Sequence, residues 1–191
     1  MSKIGDVDLD FGNRDEILSC IDFTPATLLS GQKHNSGIYV SAVPQNAVTG
    51  QCSLNYKVME DLGYFKLDIL NQNIYRAVKN PEHMEKLLAT PVKWNAFQDT
   101  SLVSKLAHIG NYFDLLQRQP EPITSVEHLA MFLSIIRPGK KHLQGKTWAE
   151  ISRTVWIKEE DSGYTFKRSH ALAYATLVIL QLAIMQEKKT C

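Results

Sequence analysis

The chain has 191 residues, close to half of them apolar, with a formal net charge of +1. That length and composition allow one domain of ordinary size, or one domain with a small appendage, and exclude a disordered chain or a uniformly basic nucleic-acid coat. Cys20, Cys52 and Cys191 are odd in number and widely spaced. They exclude a zinc cluster and a disulfide framework, and point to a reducing, cytoplasmic setting.

In chain order, the first informative stretch is "GDVDLDFGNRDEIL". Strand residues alternate between two faces, so Asp6, Asp8 and Asp10 share one face while Val7, Leu9 and Phe11 share the other. Like charges on one face repel, and a divalent metal is the natural counter-charge. The alternative is a charged edge strand that blocks aggregation. A strand is expected over 3–11 and a short helix over "NRDEILSCI". "KHNSGIYV" is a polar turn running into a strand over 37–43. Lys33, His34 and Ser36 are candidates for phosphate or base contact, or simply turn residues. A helix follows over 55–63, ending at Gly63. The strand over 64–70 puts Lys66 and Asp68 on one face and Phe65, Leu67 and Ile69 on the other.

From residue 72 the periodicity becomes helical. Asn80 is the expected N-cap before Pro81. "DTSLVSKLAHIGNYFDLL" keeps helical spacing with a break near Gly110, and "TSVEHLAMFLSIIRPG" opens on a capping box between Thr124 and Glu127. Thr147 and Glu150 repeat that signature, and a hairpin is expected to turn at Asp161-Ser162-Gly163. A last helix runs from about Ser169 to Lys188. Its apolar part, 171–185, falls short of the roughly 20 residues of a membrane span and contains Tyr174, Thr176 and Gln181, so it reads as a buried or interface helix. No signal-peptide pattern opens the sequence. Strands first and helices afterwards indicate an α+β fold. The expected division is a strand-rich part, 1–71, and a mainly helical part, 72–191, in one compact unit.

Charge is unevenly spread. The first thirty residues are acidic, whereas 130–170 carry Arg137, Lys140, Lys141, Lys146, Arg153, Lys158, Lys167 and Arg168. That asymmetry suits cations on one side and phosphates on the other, or a solvated surface. "RPGKKHLQGK", with Lys140 and Lys141, has the composition of a backbone-phosphate contact loop. Lys167, Arg168 and His170 oppose the dipole of the helix they open, an arrangement that a bound anion would stabilise. Trp94, Trp148 and Trp156 read as core, and His83, His108 and His128 as ordinary helix residues. Two aspartates at i and i+2, with a third from a paired strand, form a known arrangement for two metals in phosphoryl and nucleotidyl transfer. Asp6, Asp8 and Asp68 have that spacing, and all their donors are oxygens, which suits magnesium.

Five of these stretches, in this order, resemble motifs of the bacterial replicative DNA polymerase III alpha subunit, the family C polymerases. They are "GDVDLDFGNRDEIL", "KHNSGIYVSAVP", "LGYFKLDILN", "AMFLSIIRPGK" and "GYTFKRSHALAYA"; the middle of the chain, about 72–124, matches poorly. The resemblance implies a small palm-like sheet related to the polymerase-beta nucleotidyltransferases, followed by a mainly helical half. It implies two magnesium or manganese ions on Asp6, Asp8 and Asp68, with Lys66 beside the third aspartate. Arg137, Lys167, Ser169 and His170 fall on segments in or near the fingers. With Lys33, His34, Lys140, Lys141 and Arg168 they are the candidate DNA or nucleotide contacts. The implied activity is DNA polymerisation from deoxynucleoside triphosphates in a bacterium or an infected bacterial host, away from membranes. The chain departs from the family in several places. The Gly-Ser turn before the first aspartate strand is not within this sequence, Tyr39 replaces a second His, and only 140–166 stands where the family has a long fingers insert. Parts so reduced are expected from a second chain or a homo-oligomer. A non-catalytic DNA-binding or replisome-interaction module and a metal-dependent nuclease are the alternatives.

Overall fold

The computed structural model describes residues 7–158 and 166–190, with side chains through Lys188. Asp6 and the expected hairpin turn at Asp161-Ser162-Gly163 lie outside the described residues. The chain forms two compact units, Met1–Val78 and Lys79–Cys191. The first holds a four-stranded mixed sheet and the second is helical, so the α+β class holds.

In the first unit, β1 (Val7–Phe11) leads into α1 (Arg14–Leu18), capped by Asn13, whose side chain accepts from the Asp15 amide. Then come β2 (Thr24–Thr27), β3 (Lys33–Tyr39), α2 (Tyr56–Asp61) and β4 (Leu67–Asn71). The sheet order is β1-β4-β3-β2, with β1 parallel to β4 and the other neighbours antiparallel. A parallel pair needs a long crossover, and here the β2–β3 hairpin and α2 supply it. Strand β2 is not among the strands expected from the sequence; as an edge strand it tolerates Pro25. The third strand starts earlier than expected and ends at Tyr39. Between the pairs Pro25–Ile38 and Thr27–Lys33 the register shifts, so His34, Asn35 and Ser36 bulge out of the ladder. Ala26, Tyr39, Cys52 and Met59 form the small core behind the sheet. The 3-10 turn Asn73–Ala77 stays with this unit, and Arg76 Nε donates to the Gly12 carbonyl at 2.7 Å. A Cβ on Gly12 would meet the Arg76 backbone nitrogen at 3.1 Å, so a glycine lets the two segments approach.

The second unit contains α3 (Pro81–Ala89), α4 (Thr100–Val103), α5 (Phe113–Gln117), α6 (Val126–Ile135), α7 (Trp148–Thr154) and α8 (Arg168–Thr190). Asn80 caps α3 as expected, accepting from the His83 amide at 2.8 Å. Thr147 and Glu150 form the reciprocal capping box of α7. The box expected at Thr124 is displaced by one residue: Ser125 caps α6, and Thr124 contacts the His128 ring instead. The helical spacing over 99–116 resolves into two short helices. The chain breaks at His108, which sits in a left-handed turn at φ 63° and is not a helix residue.

Every residue of α6 from Leu129 to Ile135 is buried, the mark of a central helix. It packs on α8, which also packs on α3. His83 and Glu187 pair across α3 and α8 at 3.0 Å, and that hydrogen bond holds the Glu187 carboxyl below the usual range. Helix α8 extends beyond the apolar stretch on both sides, so Arg168–Lys188 is long and apolar enough to cross a membrane, contrary to the sequence-based expectation. Half of that window is buried inside the unit, as in a core helix.

Phe132 is fully buried on α6. Phe132→Ala should destabilise the helical unit by roughly 3–5 kcal/mol, measured as a lower midpoint in urea with an unchanged slope.

Candidate functional site around Asp68

Strand β4 is flanked by β1 on one side and β3 on the other, and Asp68 lies in the row Asp8–Asp68–Gly37. Residues in one row point to one face of a sheet. Asp8 and Asp68 therefore stand side by side on neighbouring strands about 4.8 Å apart. Asp8 is exposed and Asp68 is buried.

The Asp68 carboxylate is held from two directions. Ser36 Oγ donates to Oδ1 at 2.7 Å, and the Lys66 ammonium donates to Oδ2 in a close ion pair. Lys66 is itself buried, and its ammonium lies 5.9 Å from the centre of the Tyr56 ring. The bulge in β3 folds the His34 ring back, so that Nδ1 accepts from the amides of Gly37 at 2.9 Å and Ser36 at 3.3 Å. With Nδ1 as acceptor, the neutral ring carries its proton on Nε2. Nδ1 lies 3.7 Å from Asp68 Oδ1, and the ring meets Tyr56 edge-on at 5.8 Å. Arg14, at the start of α1, reaches across to the carbonyl of Asn35 in the same bulge.

Gly37 makes this packing possible. A Cβ there would lie 2.9 Å from Lys66 Cδ and 3.0 Å from the His34 ring.

Asp10 is one step along the same face of β1. Burial, then the Asp8 charge, push its carboxyl above the ordinary range, against a hydrogen bond from Gln72. The side chain remains largely exposed to solvent, so the shift carries little energy. Burial, then the Asp10 charge, likewise raise the Tyr75 phenol.

Of the sequence-derived candidates, the structure brings together Asp8, Asp68, Lys66 and His34. Lys33 opens β3 and is exposed, on the strand that carries the bulge. Ser36, a candidate for phosphate or base contact in the sequence, instead holds Asp68, and Arg14, Gly37 and Tyr56, which are not among the sequence-derived candidates, complete the site. Their signal is weak: only the fold-back of the bulge brings them to Asp68. Among the described residues, no group of three or more His, Cys, Asp or Glu side chains is placed to hold a metal ion.

The remaining candidates belong to the helical unit. Lys141, Lys167, Arg168 and Ser169 are exposed, and His170 is partly so. Arg137 stacks on Phe166, with its guanidinium carbon 5.1 Å from the ring centre. Lys140 is buried, and its ammonium donates to the carbonyls of Thr154 at 3.2 Å and Ile157 at 2.8 Å. That lysine closes the end of α7 from inside the fold.

Comparison with protein-family models, with curated proteins and with solved structures finds no match.

Two outcomes follow from this geometry. Gly37→Ala should cost about 1–3 kcal/mol by overpacking and perturb the His34 ring signals in NMR spectra. Asp10 has a raised folded-state pKa, so its ionised form disfavours the fold above that pKa and the cost disappears as pH falls through it. Asp10→Asn should therefore raise the melting temperature at neutral pH by a small margin, equivalent to less than about 1 kcal/mol. The gain should vanish in acid below the normal carboxylate range.

Proposed function

We propose that this chain is a reduced, palm-like relative of the family C polymerases that carries out magnesium-dependent nucleotidyl transfer on DNA. Its substrates are a DNA 3′-end and deoxynucleoside triphosphates, in a bacterium or an infected bacterial host. The observation that carries the reading is the shared row of Asp8 and Asp68 on adjacent parallel strands.

The residues fit a hard divalent cation. The donors are carboxylate oxygens on one sheet face, and one of the two aspartates is open to solvent. Asp8 and Asp68 would hold the ion, with Asp6 as the next carboxylate on the same alternation. Bound there, the ion supplies positive charge against phosphate oxygens and eases deprotonation of the attacking 3′-hydroxyl.

The chain's own side chains do the positioning. Ser36 and Lys66 fix the rotamer of Asp68. Lys66 also offsets the repulsion between two neighbouring carboxylates and adds positive charge where a phosphate would approach. The His34 ring is locked by two backbone amides. It presents a fixed imidazole beside Asp68 as a donor to phosphate or base. Preorganised charge of this kind is the main contribution a protein makes to phosphoryl-group transfer. The grip on the triphosphate is assigned to the exposed Lys33 of the same unit, or to a second chain or copy.

One observation favours a second reading, a non-catalytic polymerase-derived module that binds DNA or a replisome partner. The Lys66–Asp68 pair already neutralises the buried carboxylate and is complete as a structural ion pair.

Primer extension with magnesium decides between them. Asp8 is exposed, so Asp8→Ala should fold normally and lose extension by roughly 10²–10³-fold, the scale for removing a transition-state stabiliser. Asp68→Asn, which keeps the shape beside Lys66, should lose as much. Asp68→Ala is a poorer test, because truncating one side of a buried ion pair costs about 3–5 kcal/mol of stability. Manganese uptake by calorimetry should fall in both Asp8→Ala and Asp68→Asn. DNA binding with neither turnover nor metal uptake would select the module, and primer shortening would select the nuclease.

A further inference from the structure

Strand β1 is the outer strand of the sheet, and among the described residues no strand pairs with its far side. The Gln72 amide donates to the Phe11 carbonyl at 2.7 Å. Peptide groups alternate in direction along a strand, so those of Val7, Leu9 and Phe11 face β4. The N–H and C=O groups of Asp8 and Asp10 therefore face the outer edge. An edge of this kind is a template for another strand.

The cover of the sheet stops short of β1. Along the row Ile38–Leu67–Val7, exposure rises from 0% at Ile38 to 40% at Val7. Two residues further on, Ile69 is 2% exposed and Leu9 beside it 37%. One added strand would set both apolar residues of β1 between neighbours. On the other face the same strand presents Asp8 and Asp10, both exposed.

The charges decide which strand fits. Residues opposite one another in a strand pair share a face, and like charges there repel. A second copy pairing antiparallel through this edge would set Asp8 against a second Asp10, or either residue against its own equivalent. A shift by one residue avoids that, but it sets each aspartate against an apolar residue. The edge thus resists its own kind and favours a strand of opposite charge.

We propose that β1 is the docking edge for an extended segment of a partner protein in which lysine or arginine alternates with apolar residues. The segment adds a fifth strand to the sheet. Its basic side chains meet Asp8 and Asp10 on one face, and its apolar ones cover Val7, Leu9 and Phe11 on the other. In strand addition, main-chain hydrogen bonds supply affinity and alternate side chains supply specificity. Burial, then the Asp8 charge, raise the Asp10 carboxyl, and incoming cations would offset the second of these. The inference stands apart from nucleotidyl transfer: it needs the charge and open edge of β1, not Asp68 or a bound metal.

The test titrates the full chain, in metal-free buffer, with an end-blocked peptide of sequence valine-lysine-valine-lysine-valine. One control peptide has glutamate in place of lysine, and another has the same residues in two blocks. Saturable binding of the alternating peptide is expected, weakening as salt rises. Hydrogen exchange should slow at the outward amides of Asp8 and Asp10, which charge attraction without strand pairing would not do. Asp10→Asn should weaken binding roughly two- to fivefold, the worth of one cross-strand charge pair. Asp10→Pro deletes an outward N–H, a change an edge strand tolerates, and should weaken binding further. Asp68→Asn should bind the peptide as the parent chain does even where it abolishes primer extension, so the two readings fail separately. Control peptides binding as tightly as the alternating one would overturn the proposal. So would no saturable binding up to the peptide's solubility limit, unchanged affinity in a folded Asp10→Asn, or unslowed exchange at both amides. Protection of those amides that grows with protein concentration, without peptide, would identify a second copy as the occupant and overturn it too.

Discussion

The pairing of β1 with β4 is the constraint on which the rest of the site depends. It sets Val7 against Leu67, Asp8 against Asp68 and Leu9 against Ile69. Side chains along a strand alternate with a period of two, so a slip of one residue would turn every aspartate of β1 toward the apolar face. The apolar residues resist that slip, because Val7 and Leu9 would then face Lys66 and Asp68. Two neighbouring carboxylates repel, and the sheet keeps them together only because Lys66 and Ser36 hold the buried one. Register and counter-charge thus act as one device: hydrophobic pairing on one face enforces an acidic row on the other.

That device was legible in the sequence because both parts of it are local. Alternation in "DVDLDF" and in "FKLDI" places each aspartate without knowledge of the fold. The parallel pairing could only be assumed, since partners so far apart in the chain leave no periodic trace. Other features escaped for stated physical reasons. Edge position made Pro25 acceptable in a strand. The bulge at His34–Ser36 arises from a mismatch between β2 and β3, two strands whose pairing the sequence does not display. His108 follows helical spacing yet adopts a left-handed turn, and Gly110 beside it leaves no room for a Cβ, which would stand 2.8 Å from the Ser104 carbonyl oxygen. Lys140 looks like its exposed neighbour Lys141 in sequence, and only the fold shows that one of the pair points inward to main-chain carbonyls.

The basic run over 130–170 therefore divides into different tasks. Lys140 stabilises a loop, Arg137 covers an aromatic ring, and Lys141, Lys167 and Arg168 remain on the surface. Formal charge counted along the chain overstates what is available to a polyanion. Such a binder would depend on a few exposed cations and lose affinity steeply with salt.

The two aspartates differ in how firmly the fold holds them. Asp68 is on a strand paired on both sides, with its carboxylate fixed by two partners. Asp8 is on an edge strand in which even Val7 and Leu9 are 40% and 37% exposed. Strands with little buried apolar surface open at lower free energy than those in a core. A site built this way has one rigid wall and one compliant wall. Rigidity at Asp68 defines where charge is presented; compliance at Asp8 lets the separation of the carboxylates adjust to whatever sits between them. Divalent cations with different radii demand different separations, and magnesium is strict about its oxygen distances. A compliant edge carboxylate opposite a fixed central one can meet that demand without rebuilding the sheet, and the alternating acidic strand supplies it with five consecutive paired residues.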